Sequence, residues 1–269
     1  MDVNPYISFI TTIQVADRYE FLEESIQITI KVIEYYCKKM NVSYEIVVCE
    51  QVGPRTKKIV GPNLSQYENV NVIYIATDYP SPLGYTFLES YGKNAGLKVA
   101  KGKFACVINA DIIFSEKIIE FISKGLEVEK FYRFATYEVP KISESITEVE
   151  EILDFCGNNI IKFWNPELFN TDPSLCDVGK KSGDIMLLDT KSFQTIGGYP
   201  ENGLVNHVDT ATCMVIMNSY SVVVPPKDVC IYTQFQTIRA MDCNEADVND
   251  IEVKSWALVN AMWNNKTTN

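Results

Sequence analysis

One apolar run ends on residues that could hold a metal ion. The segment Phe104–Ile108 is followed by Asn109, Ala110 and Asp111. A short apolar run predicts a buried strand, and α/β sheets bind ligands at the carboxyl ends of their strands. Two residues apart on a strand end, both side chains would point to the same side. An amide and a carboxylate oxygen there suit Mg²⁺ or Mn²⁺ held against substrate phosphates, although Asp111 or Ser115 could instead cap the next helix.

Length and charge limit the classes of function that the chain could have. The 269 residues, 46% of them hydrophobic, predict one large α/β domain over residues 1–269. The formal net charge of −11 argues against a nucleic-acid partner, which would require a basic surface. An anionic ligand would therefore need a metal ion or backbone N–H groups to neutralise it.

The cysteines and the hydropathy pattern bear on the compartment. The eight cysteines form no C-x-x-C pair, and several lie in strand-like runs, which is typical of small buried residues in a reducing compartment. No apolar run approaches the ~20 residues of a membrane span. No basic segment precedes the first strand, so no secretory signal is predicted. We therefore expect a cytoplasmic protein without a membrane span.

The order of predicted elements indicates a parallel sheet. Strands are predicted at 6–12, 44–49, 70–76 and 103–109, and helices at 17–39 and 86–101. This alternation predicts parallel strands joined by right-handed crossovers. Further elements are predicted as a helix after Ser115, strands at 131–139, 184–189 and 222–225, a helix at 210–219 and a terminal helix at 251–263. The less regular interval 141–181 is expected to form functional loops.

Short motifs along the chain together resemble a known family. They are Tyr6–Thr12, Tyr44–Glu50, Lys93-Asn94-Ala95-Gly96, Asn109-Ala110-Asp111, Gly197-Gly198-Tyr199-Pro200-Glu201 and Val208-Asp209. In order and spacing they resemble a family 2-type glycosyltransferase of the GT-A fold, from Tyr6 to Val224. That family often has Arg-Asn-x-Gly, D-x-D, Gly-Gly-Phe/Tyr-x-Glu and Glu-Asp at the last four places.

The resemblance implies a fold and a reaction. The fold would be a Rossmann-like, mostly parallel sheet flanked by helices, with a nucleotide-sugar half at about 1–115, an acceptor half at about 116–232 and an extension at 233–269. The reaction would move a sugar from a UDP- or GDP-sugar to a hydroxyl of a glycan or another acceptor. Inversion at the sugar carbon and assistance by Mn²⁺ or Mg²⁺ are expected.

The resemblance also implies site residues on the donor side. Asp111 would be the metal ligand, and the donor would be bound by Thr11, Glu50, Asn94 and Asn109. Glu50 would accept a hydrogen bond from the nucleobase. Asn109 replaces the acidic first residue of the family motif, and the loss of one charge should weaken metal affinity.

On the acceptor side the resemblance implies a base and two binding residues. Asp209 would take the proton of the acceptor hydroxyl; as a residue ahead of a predicted helix, it has an N-cap as its alternative role. His207, the only histidine, and Asp184 would bind the acceptor. For His207 a structural role is the alternative, and for Asp184 a turn.

Two rival functions remain open. A glycosyltransferase-like binding module without catalysis is suggested by Asn109 and by the absence of a histidine in Tyr232–Gln236, where many members of the family have a metal ligand. A dinucleotide-binding oxidoreductase is disfavoured, because Thr11–Val15 stands where a G-x-G-x-x-G motif would follow the first strand.

Overall fold

The computed structural model describes residues 4–16, 21–54, 56–77, 87–164, 166, 184–201 and 208–234. The strands are β1 Ile7–Ile13, β2 Tyr44–Val52, β3 Val70–Ala76, β4 Phe104–Ile108, β5 Ile112–Phe114, β6 Lys130–Tyr132, β7 Ala135–Val139, β8 Lys162–Trp164, β9 Ile185–Asp189, β10 Ser221–Val223 and β11 Cys230–Gln234. The helices are α1 Phe21–Lys39, α2 Gly61–Leu64, α3 Glu89–Val99, α4 Glu116–Ser123, α5 Val149–Asn158, α6 Thr190–Thr195 and α7 Val208–Ser219.

A seven-stranded sheet forms the centre of the molecule, in the order β10-β6-β9-β4-β1-β2-β3. Strands β3, β2, β1 and β4 are parallel to one another, and β10 is parallel to β6. Strand β9 runs antiparallel to β4 and β6. Every residue of β1, β4 and β9 is buried, as expected of strands covered on both faces. The expected α/β fold with a mostly parallel sheet is confirmed.

Helices α1 and α3 cover opposite faces of this sheet. In β1, Ile7, Phe9 and Ile13 belong to the same apolar cluster as residues of α1. Ile10 belongs to a second cluster with Leu97 of α3. Because side chains alternate along a strand, Thr11 lies on the α1 face. Each predicted site residue on a strand is therefore assigned to one face.

Two glycines let α3 approach β1 closely. A Cβ added to Gly96 would lie 2.3 Å from Cγ2 of Ile10, and one added to Gly92 would lie 2.0 Å from Oγ1 of Thr12. Such distances are far below van der Waals contact. Gly96, which in the sequence could also have allowed close approach to a ligand, here contacts the sheet.

A second sheet, in the order β5-β11-β7-β8, packs against the first. Strand β5 follows directly on the turn at Ala110 and Asp111 and pairs antiparallel with β11. The Phe114 ring meets the Phe9 ring edge to face at 5.4 Å between centroids. The turn after β4 therefore connects the first sheet directly to the second.

Some predicted elements differ from the structure. The strand predicted at 131–139 is two strands, β6 and β7, which separate at Arg133 because they belong to different sheets. The interval 141–181, expected to be loops, contains α5 and β8 within its described part. The helix predicted at 251–263 lies outside the described residues.

Two further observations concern the cysteines and the helices. The cysteines within the described ranges carry no disulfide and are buried: Cys37, Cys49, Cys106, Cys156, Cys213 and Cys230. No described helix combines the length and the hydropathy that a membrane span requires.

We expect Gly96→Ala to lower the free energy of unfolding by about 1–3 kcal/mol, the usual cost of overpacking a core. Gly157→Ala in α5 is the matched control, since its added Cβ would meet nothing within 4 Å. That control should change stability by less than about 1 kcal/mol. Urea unfolding of both variants is the measurement, and equal stability of the two would contradict the close helix–sheet packing.

Candidate active site

Residues at the end of β4 and at the start of β9 meet at the carboxyl edge of the sheet. Because β9 runs antiparallel to β4, its first residues lie beside the last residues of β4. The Asn109 N–H donates to the Asp184 carbonyl oxygen at 3.3 Å. The Asn109 side-chain amide donates to Asp184 Oδ1 at 3.4 Å. The structure therefore brings together one residue predicted for the donor and one predicted for the acceptor.

A buried lysine joins two carboxylates at the same edge. Lys93 Nζ lies 2.6 Å from Glu89 Oε1 and 2.6 Å from Asp209 Oδ1, and its side chain is 0% exposed. Glu89 and Lys93 stand four residues apart on α3, whereas Asp209 is the second residue of α7. We call Glu89, Lys93 and Asp209 the lysine triad. The Tyr199 ring covers the ammonium group at 5.1 Å from its centroid.

Burial and charge set the electrostatics of the triad. Burial raises the pKa of Glu89, the charge of Asp209 raises it further, and Lys93 only partly offsets both. Burial alone would lower the pKa of Lys93, but Asp209 and Glu89 outweigh it and the net pKa is raised. Asp184 also contributes to the raised pKa of Glu89. The Asn109–Asp184 pair and the triad are therefore within electrostatic reach of each other.

Asp209 is not an N-cap in this structure. It lies inside α7, and its carboxylate pairs with Lys93 across to α3. Its side chain is 16% exposed, against 0% for Lys93. The Glu89 side chain is 23% exposed. The triad therefore presents its two carboxylates, and not the ammonium group, toward solvent.

Asn94 holds the glycine turn that carries Tyr199. Its side-chain amide donates to the Tyr199 carbonyl at 2.8 Å and to Glu201 Oε1 at 2.7 Å, and its carbonyl accepts from Tyr199 N–H at 2.7 Å. Gly197 and Gly198 have φ values of +84° and +71°, the left-handed region that favours glycine. In this structure Asn94 binds the turn, and its contact with a donor stays a prediction.

An open cleft of about 640 Å³ adjoins the outer side of this turn. Its walls come from α3, α6 and the turn itself, and they include Asn94 and Tyr199. The cleft is separate from the triad carboxylates, which do not line it.

Thr11 and Glu50 lie on the other face of the sheet, the one that α1 covers, because they are in phase with Phe9 of β1 and Val48 of β2. Both carboxylate oxygens of Glu50 accept backbone N–H groups, from Val60 at 2.6 Å and from Gly61 at 2.8 Å. Burial raises the pKa of Glu50, and these two hydrogen bonds oppose the rise. Thr11 is 0% exposed, and within the described ranges its Oγ1 has no hydrogen-bond partner. Glu50 therefore anchors the loop before α2, and donor contacts of both residues stay predictions.

Asp111 lies in the turn between β4 and β5 and is buried. Strand β4 ends at Ile108, so strand alternation does not extend to Asp111 and does not fix its side relative to Asn109. Among the described residues no group of three or more His, Cys, Asp or Glu side chains could enclose a metal. A carboxylate with an amide two residues before it in the sequence fits instead an open site that substrate oxygens complete. His207 lies outside the described residues.

Sequence reasoning missed Glu89 as a member of the site. The signal was present, because an acidic residue four positions before a lysine on a predicted helix indicates an ion pair. Nothing in the sequence indicated that Asp209, 116 residues after Lys93, would join that pair.

Comparison with known proteins relates the chain to solved structures alone. No protein-family model and no curated protein matches. Three crystal structures of S. aureus TarS residues 1–349 are similar: the protein by itself (TM-score 0.54, 13% identity, covering 85% of this chain), with UDP-GlcNAc (0.58, 13%, 95%) and with UDP (0.51, 14%, 93%). The chain spans 60%, 66% and 70% of those TarS chains, respectively. At this identity the similarity shows the fold.

We expect Glu50→Ala to destabilise the protein, because the buried N–H groups of Val60 and Gly61 would lose their acceptors. Each such loss costs about 1–3 kcal/mol. Burial raises the pKa of Glu50 in the folded state. The contribution of this carboxyl group to the free energy of unfolding is therefore fully present below the usual glutamate pKa, and it declines as the pH rises through the raised pKa. The difference in the free energy of unfolding between wild type and Glu50→Ala should therefore be larger in mildly acidic than in neutral solution.

Denaturant unfolding at both pH values measures this difference in stability. Amide hydrogen exchange at Val60 and Gly61 shows whether the loss arises at these two N–H groups. Glu50→Gln, which keeps one carbonyl acceptor, should be intermediate. Wild-type stability and amide protection in Glu50→Ala would show that the carboxylate does not anchor the loop.

Proposed function

We propose that the chain is a glycosyltransferase that moves a sugar from a nucleoside diphosphate donor, a UDP-sugar in the first instance, to an acceptor hydroxyl. The observation that carries this proposal is a partly exposed carboxylate, Asp209, fixed by a buried lysine at the carboxyl edge of the sheet. The shared fold supports it, because TarS has been solved with UDP-GlcNAc and with UDP.

Asp209 is the proposed general base. The acceptor oxygen attacks C1 of the sugar from the face opposite the diphosphate and forms the new C–O bond. The bond from C1 to the diphosphate oxygen breaks, and the nucleoside diphosphate leaves with the electron pair. The acceptor proton passes to the Asp209 carboxylate. This course inverts the configuration at C1.

Asp111 is the proposed holder of Mg²⁺ or Mn²⁺, with Asn109 beside it. When bound, such an ion would stabilise the charge that builds on the leaving diphosphate. Asn109 is the donor-site candidate with a partly exposed side chain, whereas Thr11 and Glu50 are 0% exposed and Asn94 is 7% exposed. We therefore assign direct donor contact to Asn109 first. Asp184 and His207 remain the proposed acceptor residues.

A binding module without catalysis is the second candidate. One observation favours it: the carboxylate proposed as the base is engaged by a buried ammonium group, which competes with the acceptor proton. Such a module would bind UDP-sugar and release no UDP.

We expect Asp209→Asn to lower turnover by about 10²–10⁴-fold, the usual contribution of a general base. UDP release from UDP-GlcNAc measures turnover, and calorimetric titration with UDP measures donor affinity, which should not change. The asparagine carbonyl can still accept from Lys93, so the fold is retained. Asp228→Asn is the matched control, because Asp228 pairs with Lys117 at the surface.

Near-wild-type turnover in Asp209→Asn would remove the base assignment and make Asp184 the next candidate. Tight UDP-GlcNAc binding without UDP release in the wild type, with water and with hydroxyl acceptors supplied, would favour the binding module.

We expect UDP affinity to depend on Mn²⁺ through Asp111. Calorimetric titration should show weaker UDP binding after EDTA treatment of the wild type, and Asp111→Asn should bind UDP equally with and without Mn²⁺. The reason is the loss of a carboxylate ligand. Asp228→Asn should retain the dependence. Equal UDP affinity of the wild type with and without EDTA would contradict the metal role.

A further inference from the structure

A lysine without solvent contact must find its compensation inside the protein. Lys93 is 0% exposed, and removal of an ammonium group from water costs several kcal/mol. Two carboxylates at 2.6 Å each supply that compensation, together with the Tyr199 ring. The triad thus carries one positive and two negative charges when both carboxylates are ionised.

The triad connects two elements that are distant in sequence. Glu89 and Lys93 are fixed relative to each other by one turn of α3. Asp209 comes from α7, and its ion pair with Lys93 joins the first turn of α7 to α3. The position of the Asp209 carboxylate therefore follows from the position of the lysine.

We propose that Lys93 is a positioning residue that holds the Asp209 carboxylate at the edge of the site, and that Glu89 shares the lysine so that Asp209 remains able to accept a proton. Both roles rest on the function proposed above for Asp209, whereas the sharing of Lys93 between the two carboxylates does not.

The physical reason is a competition for one cation. A carboxylate that was the sole ion-pair partner of Lys93 would be strongly stabilised in its charged form and would be a poor proton acceptor. A second carboxylate at the same distance draws part of that stabilisation away. The ionisable and charged groups that act on the triad come from several elements: Tyr199, Asp184, Cys213 and, through Cys213, Arg133.

The test follows the titration of Glu89 by carboxyl ¹³C NMR in protein labelled at glutamate side chains, with Glu89→Gln assigning the signal. In Asp209→Asn the Glu89 midpoint should fall, because a like charge is removed and the lysine is no longer shared. In Lys93→Met it should rise by about one pH unit or more, because the opposite charge is lost. Lys93→Arg should lie closer to the wild type.

An exposed pair of the same spacing provides the matched control. Glu120 and Lys124 also stand four residues apart, 2.7 Å from nitrogen to oxygen, on the surface of α4. Lys124→Met should leave the Glu89 midpoint unchanged. An unchanged Glu89 midpoint in folded Asp209→Asn would overturn the inference, whether or not Lys93→Met folds.

Turnover separates this inference from the proposed function. UDP release from UDP-GlcNAc should fall at least tenfold in Lys93→Met and recover in part in Lys93→Arg, with UDP affinity unchanged. If Asp209→Asn is inactive but its Glu89 midpoint is unchanged, the sharing of Lys93 is refuted and the base assignment is retained. If Asp209→Asn is active and its Glu89 midpoint falls, the base assignment is refuted, and with it the positioning role, while the sharing of Lys93 stands.

Discussion

The arrangement of the site depends on the buried charge of Lys93. An ammonium group with no access to water is stable only where its hydrogen-bonding positions and its charge are satisfied by the protein. Glu89 and Asp209 meet that requirement, and Tyr199 closes the remaining side. Because the three partners come from α3, α7 and the glycine turn, the need to compensate one charge fixes these elements relative to each other. The Asn94 hydrogen bonds to the turn reinforce the same arrangement.

Packing, and not charge, sets the position of α3 along the carboxyl edge of the sheet. Gly92 and Gly96 bring α3 into contact with Thr12 and Ile10 of β1. The helix then begins beyond the carboxyl end of the strand, so that Glu89 and Lys93 stand at the edge of the sheet. A larger residue at either glycine would displace the helix and both charged residues with it. Apolar packing and ion pairing are thus coupled through one helix.

The sequence predicted the central sheet well because long apolar runs leave a strong signal. Strands β1 to β4 and β9 agree with it to within one to three residues at their ends. The second sheet was missed, since β5 and β8 have three residues each and pair only with distant segments. Glu50 was expected just after the strand predicted at 44–49, but it lies inside β2, which continues to Val52. No local pattern shows that the N–H groups of Val60 and Gly61 would occupy its oxygens. Local patterns predict elements, whereas partners distant in sequence decide what a side chain contacts.

Charge balance links the site to its proposed ligand. Lys93 and Arg133 are the buried cations of the described part of the chain, and both have partners: Lys93 binds its two carboxylates, and Arg133 donates to Cys213 Sγ at 3.3 Å. A nucleoside diphosphate brought to an edge that already carries Asp111, Asp184, Glu89 and Asp209 would meet repulsion from these carboxylates. Positive charge brought in with the donor would relieve it. The proposed divalent ion at Asp111 meets this need, because it would bind a protein carboxylate and the diphosphate together. The same carboxylates that repel a diphosphate without a metal ion would then favour the donor in its metal-bound form.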